Sequence, residues 1–326
     1  MKFGHLFRGS KLTRILYGSD FHGSEVVFRK FLSAGLQYKA DVLIVGGDVT
    51  GKAMVPVVNQ GNSTYVGYLF GRREEAANAD ELEKLKKTIS AVGFYPIVLD
   101  KDEADELESN RAKMSARFEQ EMNQRVREWM VLAEETLVPQ KKQLYFMPGN
   151  DDLYSIDAVI DEFEHVTNPD MKCSILPGGY ELYGNSNANM TPWACARDLE
   201  ESDLQVRIDQ LAQMIENPSR AIAVIHVPPY NTPLDICPEL DENLKMITQG
   251  GQVVMKSAGS TVVRNFIETV QPMLTLHGHI HESPGHVRIG RTLCINAGSE
   301  YAEGILKAAI INLEGENVKG HLLISG

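Results

Sequence analysis

Val42-Leu43-Ile44-Val45-Gly46-Gly47-Asp48 is a continuous apolar run that stops on a glycine pair and a carboxylate. A run apolar at every position, rather than at alternate ones, reads as a strand covered on both faces, as in an α/β sheet. Upstream, Leu12 to Tyr17 is a second apolar-rich run leading into Gly18-Ser19-Asp20, and between the two Val27, Phe31 and Ala34 recur at helical spacing. The segment therefore reads strand, helix, strand. The pattern repeats downstream. Leu144-Tyr145-Phe146-Met147 enters the turn Pro148-Gly149-Asn150, Ala221 to Ile225 ends at His226, and Met273 to Leu276 delivers His277 to His281. Each polar residue of metal-ligating type stands where an apolar run stops, which is where open α/β sheets gather their ligands.

The interval between Asp48 and Asn150 holds about a hundred residues, far more than the ~12 that an α/β crossover needs. Val55 to Val58, Tyr65 to Phe70 and Phe94 to Leu99 have strand character, with a helix marked by Leu82, Leu85, Ile89 and Val92. Phe118, Met122, Val126, Trp129, Met130, Ala133 and Leu137 mark a long amphipathic helix that reads as the original crossover. Lys52 to Glu108 is thus expected to be a small α+β cap inserted into a domain made of residues 1–51 and 109–326. The charged stretches Gly71 to Lys87 and Asp100 to Glu108 read as solvated helix faces. Lys52, Arg72 and Arg73 could approach a phosphate but read more simply as surface charge. In the tail, Thr292 to Asn296, Ile305 to Leu313 and Val318 to Ile324 are β-rich and are expected in a second sheet.

Composition narrows the function. A chain of 326 residues, 43% of them hydrophobic, has apolar surface for a substantial core. Met1 to Lys11 alternates apolar and basic residues without an apolar signal core, and no later run approaches the ~20 apolar residues of a membrane span, so a soluble, cytoplasmic protein is expected. The formal net charge of -12 argues against a surface built to embrace nucleic acid. Cys173, Cys195, Cys237 and Cys294 are widely spaced without a C-x-x-C pair and read as idle or buried thiols.

Taken in order, Asp20-x-His22, Gly47-Asp48, Gly149-Asn150, His226 and Gly278-His279-x-His281 resemble the calcineurin-like metallophosphoesterase superfamily over roughly Leu12 to Ser299. His226-Val227-Pro228-Pro229-Tyr230 and Gly278-His279-Ile280-His281-Glu282-Ser283 resemble its prokaryotic branch of predicted phosphoesterases related to cyclic-nucleotide phosphodiesterases. The resemblance implies a four-layer α/β/β/α sandwich with the cap as an addition. It also implies two divalent metal ions: Asp20, His22, Asp48 and His281 for the first, and Asp48, Asn150, His226 and His279 for the second, with Asp48 bridging. A carboxylate can span two cations, and neutral imidazoles bind borderline metals without overloading the pocket with negative charge, a set that suits Mn²⁺ and also admits Fe or Zn. Asn150 can offer its carbonyl oxygen to a metal and its NH₂ to a phosphate oxygen.

The implied activity is hydrolysis of a small phosphate ester, most simply a phosphodiester or nucleotide, by a metal-activated hydroxide. One departure stands out. Many relatives carry a histidine after the asparagine, whereas this chain reads Gly149-Asn150-Asp151-Asp152, so Asn150 and Asp151 are the catalytic candidates and acid catalysis by Asp151 needs a raised pKa. Asp152 is expected to orient His226 or His22, or to cap a helix. His277 reads as a packing or hydrogen-bonding residue, as do His5, His165 and His321, while His286 and Glu282 could orient ligands. Ser260 reads as a helix N-cap, with Arg264 a weaker substrate contact and the proline-stiffened Val227 to Asp235 a pocket wall. Two other functions compatible with these motifs are a repair-type nuclease and a non-hydrolytic protein-binding scaffold. A homo-oligomer is compatible with either.

Overall fold

The apolar runs that stop on polar turns become neighbouring parallel strands. In the computed structural model, which describes residues 12–326, Thr13–Gly18 (β1) is followed by the helix Glu25–Gln37 (α1) and by Val42–Gly46 (β2), which pairs in parallel with β1. His5 and the rest of Met1 to Lys11 lie outside the described residues. Next come Met54–Gly61 (β3), Thr64–Leu69 (β4), Arg72–Ala76 (β5), the helix Ala79–Ala91 (α2) and Tyr95–Leu99 (β6). The exposed helix Lys101–Ser109 (α3) and the long helix Arg111–Leu137 (α4) lead back to Gln143–Met147 (β7), which pairs with β2 and is followed by Ser155–Ile160 (α5) and Val166–Thr167 (β8). Cys173–Leu176 (β9) and Tyr180–Asn185 (β10) open the second half, which continues through the helices Glu201–Met214 (α6) and Thr261–Val270 (α7).

Two six-stranded sheets result. The first runs Asn317–Ser325, Lys307–Glu314, β1, β2, β7, β8, and the second runs Gly285–Ile289, Thr292–Asn296, Leu274–His277, Ala221–Ile225, β10, β9. The unbroken apolar strands are explained by what covers each face. Leu16, Leu43, Val45, Leu144 and Phe146 turn to α1, α4 and α5, while Ile15, Tyr17, Val42, Ile44, Tyr145 and Met147 turn to the second sheet. From that sheet Ile222, Val224, Leu274, Leu276 and Ile295 face the first, and Ala221, Ala223, Ile225 and Cys294 face α6 and α7. The layers are therefore α/β/β/α. The helical layer on the first sheet is fixed by Trp129, which stacks on Phe28 with ring centroids 4.3 Å apart.

The tail departs from expectation. Thr292–Asn296 joins the second sheet, but Lys307–Glu314 pairs antiparallel with β1 and Asn317–Ser325 lies outside it, so both complete the first sheet. The physical reason is the free edge of β1, a strand buried on both faces whose backbone groups need partners on both sides.

The strands β3 to β6 form their own sheet in the order β5, β4, β3, β6, covered by α2 over a small core of Val55, Val57, Leu69, Ala76, Leu85 and Ile89. Arg72–Ala76 is a strand, not the helix face its charge suggested. Phe70 (φ 50°) and Gly71 (φ 74°) make a tight hairpin turn, and the charged side chains of β5 blunt the sheet edge. This unit is pinned to the rest at the loop after β1: Ser24 Oγ donates to Ala91 O (2.6 Å), and the Arg125 guanidinium spans Gly23 O and Ser90 Oγ at 3.0 Å each. No described helix is long and apolar enough to cross a membrane.

Candidate metal centre

The loops that follow the central strands meet at one end of the two sheets. Asp20 N donates to Gly47 O and His22 N to Asp48 O, each at 2.9 Å, so the turns after β1 and β2 are zipped together. Asp20, His22, Asp48 and His279 all have left-handed backbones (φ 58°, 42°, 50° and 67°), a conformation non-glycine residues hold only where the surroundings enforce it and one that gathers at functional sites. Two glycines leave room for this crowding. A Cβ on Gly47 would lie 2.4 Å from His226 Nδ1, and one on Gly149 would lie 2.2 Å from Asp48 Oδ1.

Asp20, His22 and His281 form one group with converging donor atoms, and Asp48, His226 and His279 a second. His22 Nε2 and His281 Nε2 lie 3.1 Å apart, and His281 Nε2 is 3.5 Å from Asp20 Oδ1. His279 Nδ1 is 2.9 Å from Asn150 Oδ1, and His226 Nε2 is 3.3 Å from Asp48 Oδ1 and 3.9 Å from Asp20 Oδ1. Asp48 faces both groups, since its Oδ2 is 3.8 Å from His22 Nε2. The structure thus brings together Asp20, His22, Asp48, Asn150, His226, His279 and His281. A third group, His22, Asp48 and Asp151, adjoins them.

A surrounding layer fixes these side chains. His226 Nδ1 donates to Gly46 O (2.9 Å), which aims Nε2 at the carboxylates, and the backbone N–H of His279 donates to Asp20 (3.0 Å). Asn150 Nδ2 donates to Asp198 Oδ1 (2.7 Å), so one amide N–H is engaged by protein and Oδ1 is turned to His279. Asp152 does neither job expected of it. Its carboxylate accepts from the backbone N–H groups of Val49, Thr50 and Gly149 at 2.7–3.0 Å and from Thr50 Oγ1, holding the two metal-type turns against each other. His277 is bound to Ile225 O, Val227 O and Thr275 Oγ1 and serves the strand end.

Two residues of this layer escaped the sequence reading. Asp198 has no local signature. Tyr301, whose ring lies 4.6 Å from that of His22, follows the apolar run Thr292–Asn296, so the rule that located the other loops pointed here too. Ser299 Oγ in the same loop donates to Asp20 O (2.7 Å). Lys52 also needs correction: it is not plain surface charge, because its Nζ is 3.2 Å from Asp151 Oδ2 at the edge of the centre. Arg73 pairs with Glu75 on β5. Ser260 caps α7 through Val263 N (3.2 Å), while Arg264 binds Glu268 and the carbonyls of Tyr230 and Asn231, tying down the proline loop. His165 contacts Met130 O, and His286 packs on His321. Glu282 lines, with His281, Ser299 and Tyr301, a cavity of about 410 Å³ at the mouth. All four cysteines are free.

The electrostatics suit cation binding. Asp20 and Asp48 are buried without a Lys or Arg partner among the described ion pairs, an arrangement that is costly unless positive charge is supplied. Burial would raise Asp20, but the hydrogen bond and charge of His281 override it and hold the carboxyl at about 2. Burial likewise opposes a charge on His226, yet the Asp48 and Asp20 carboxylates push it up to about 10. Burial and the charge of His226 bring His279 down to about 4, leaving its lone pair free. His226 Nε2 is buried with no hydrogen-bond partner while aimed at two carboxylates. An orphaned imidazole nitrogen among carboxylate oxygens is a donor set that fits a divalent metal.

The layers form the α/β/β/α sandwich that the resemblance in motif order implies. No protein-family model matches the chain. The crystal structure of TT1561 of Thermus thermophilus superposes with a TM-score of 0.52 at 14% identity, covering 97% of this chain and 99% of that one. Another solved structure gives 0.54 at 15% identity over 97% and 99%. At these identities the likeness is one of fold. In sequence, the uncharacterized protein MJ1162 of Methanocaldococcus jannaschii is 27% identical over 150 residues, which are 46% of this chain. The match spans 61% of that relative's length.

Proposed function

We propose that this chain is a dinuclear metal-dependent phosphoesterase acting on a small phosphate ester, most simply a phosphodiester or nucleotide. The observation that carries the reading is Asp48, whose two carboxylate oxygens face two different imidazole groups, Oδ2 toward His22 and Oδ1 toward His226. Asp20, His22, Asp48 and His281 would hold one ion, and Asp48, Asn150, His226 and His279 the other. Two divalent ions there, with Mn²⁺ favoured and Fe or Zn also suited, would stabilise phosphate oxygens and lower the pKa of a water.

The protein's own part is positioning. Gly46 O fixes the tautomer of His226, the His279 N–H fixes Asp20, and Asp198 turns the Asn150 carbonyl inward, so each donor is set before substrate arrives. Asp151 sits at the rim with its backbone N–H on Asp48 Oδ1 (3.0 Å), and burial together with the Asp48 charge raises its carboxyl. A net charge of -12 favours a small substrate over a nucleic-acid polymer. The test is turnover of bis(p-nitrophenyl) phosphate and p-nitrophenyl phosphate with Mn²⁺ in wild type and Asp48→Ala. Diester turnover that disappears in the variant is expected, and no turnover of either ester, nor of a wider nucleotide panel, by metal-replete protein would sink the reading.

A further inference from the structure

Lys52 leaves the chain four residues after Asp48, where the inserted unit begins, and it turns back to the centre rather than out to solvent. Its Nζ lies 3.2 Å from Asp151 Oδ2, and that same oxygen lies 3.7 Å from His22 Nδ1. Among the described ion pairs, this is the one in which a Lys or Arg shares its carboxylate with a residue of the donor groups. The side chain is nevertheless about half exposed (46%), so its ammonium can be reached from solvent.

The stem of Lys52 starts from a fixed point. Thr50 N and Oγ1 are bound to Asp152, and Gly51 N donates to Tyr95 OH (2.5 Å). Gly51 is also packed so tightly on Gly93 O that a Cβ would lie 1.9 Å from it. The turn is therefore clamped between Asp152 of the sandwich and Gly93 and Tyr95 at the foot of the inserted sheet. Tyr301 stands against His22 in the same centre, with ring centroids 4.6 Å apart.

Charge supplies the second argument. A bare carboxylate at position 151, beside a centre that must admit phosphate, repels the substrate. An ammonium on that carboxylate cancels the repulsion and offers hydrogen-bond donors to phosphate oxygens, as a lysine point charge does.

We propose that Lys52 is a phosphate-binding, specificity-determining residue of this centre, resting on Asp151 and contacting the non-bridging oxygens of the substrate. The proposal rests on the phosphoesterase reading above. Because one positive charge attracts a dianion more than a monoanion, the contribution of Lys52 is larger for phosphomonoesters and inorganic phosphate than for diesters.

The experiment uses full-length, Mn²⁺-loaded protein and inorganic phosphate as the probe, with binding measured by calorimetry and by competition against ester turnover. Lys52→Met is expected to weaken phosphate binding about tenfold or more, the size of a lost charge-assisted hydrogen bond, and to raise KM for the monoester more than for the diester. Lys52→Arg recovers much of the loss, and Lys86→Met, a control on α2 whose partner is Glu83, changes nothing. Metal content stays at the wild-type value in all of them. Wild-type phosphate affinity in Lys52→Met overturns the proposal, and so does a fall in its metal content, which would assign Lys52 to the donor set. Phosphate binding by a wild type that hydrolyses no ester would remove the phosphoesterase reading while still reporting on Lys52.

Discussion

Asp198 shows how a residue outside the donor groups can govern them. Its Oδ1 takes the Asn150 amide, while Oδ2 is held by Thr191 N and Cys195 N, so the carboxylate cannot swing away. Asp198→Ala frees the Asn150 side chain to rotate, and metal affinity should fall by about 10–100-fold, the usual effect of losing an orienting partner. Metal titration monitored by calorimetry measures this, and unchanged affinity would show that Asn150 is oriented by something else. Gly149→Ala tests crowding: the new Cβ has no space beside Asp48, so metal binding and turnover should be lost, whereas Gly320→Ala, with nothing within 4 Å, should behave as wild type. The residues that converge here were legible in the chain because the turns that carry them follow apolar runs. Asp198 was not, because its bond to Asn150 joins positions 48 apart and no short pattern announces it.

At the scale of elements, α4 carries the helical layer. Met122, Val126, Trp129, Met130 and Ala133 form its buried stripe, and the stacking of Trp129 on Phe28 joins it to α1, the helix that follows His22. Trp129→Ala should cost about 3–5 kcal/mol of stability, read as a lowered denaturation midpoint. A loss below about 1 kcal/mol would mean that the layer closes over the gap. The stripe of α4 could be read from its helical period, and the central strands from unbroken apolar runs that stop on polar turns. β5 could not, because an exposed edge strand made of Arg and Glu has no apolar period and is specified by the turn before it. The last two strands were legible as strands but not in their sheet, since the choice depended on which edge β1 left open.

At the scale of the molecule, the centre is a place where binding and stability are linked. The buried carboxylates and imidazoles converge in the folded chain, so ions that bind it and not the unfolded chain would stabilise it, by about 2.7 kcal/mol for one site at a hundred times Kd. Mn²⁺ should raise the thermal midpoint by several degrees and chelation should reverse it, as measured by scanning calorimetry. Asp48→Ala should lose most of that response, and an equal response in the variant would place the stabilising ions elsewhere.

His22 and His281 are 259 residues apart in the chain and 3.1 Å apart in space, and β1 receives its outer partner only from Lys307–Glu314. On a ribosome adding ~5–20 residues per second, the first donors wait roughly tens of seconds for the last. Through that interval β1 has an open edge and Asp20 has no His279 N–H to hold it. An ion that needs donors from both ends of the described chain would therefore meet the finished fold rather than the nascent one. On the proposed reading, the supply of metal would then set how many of the folded molecules are active and how long they last.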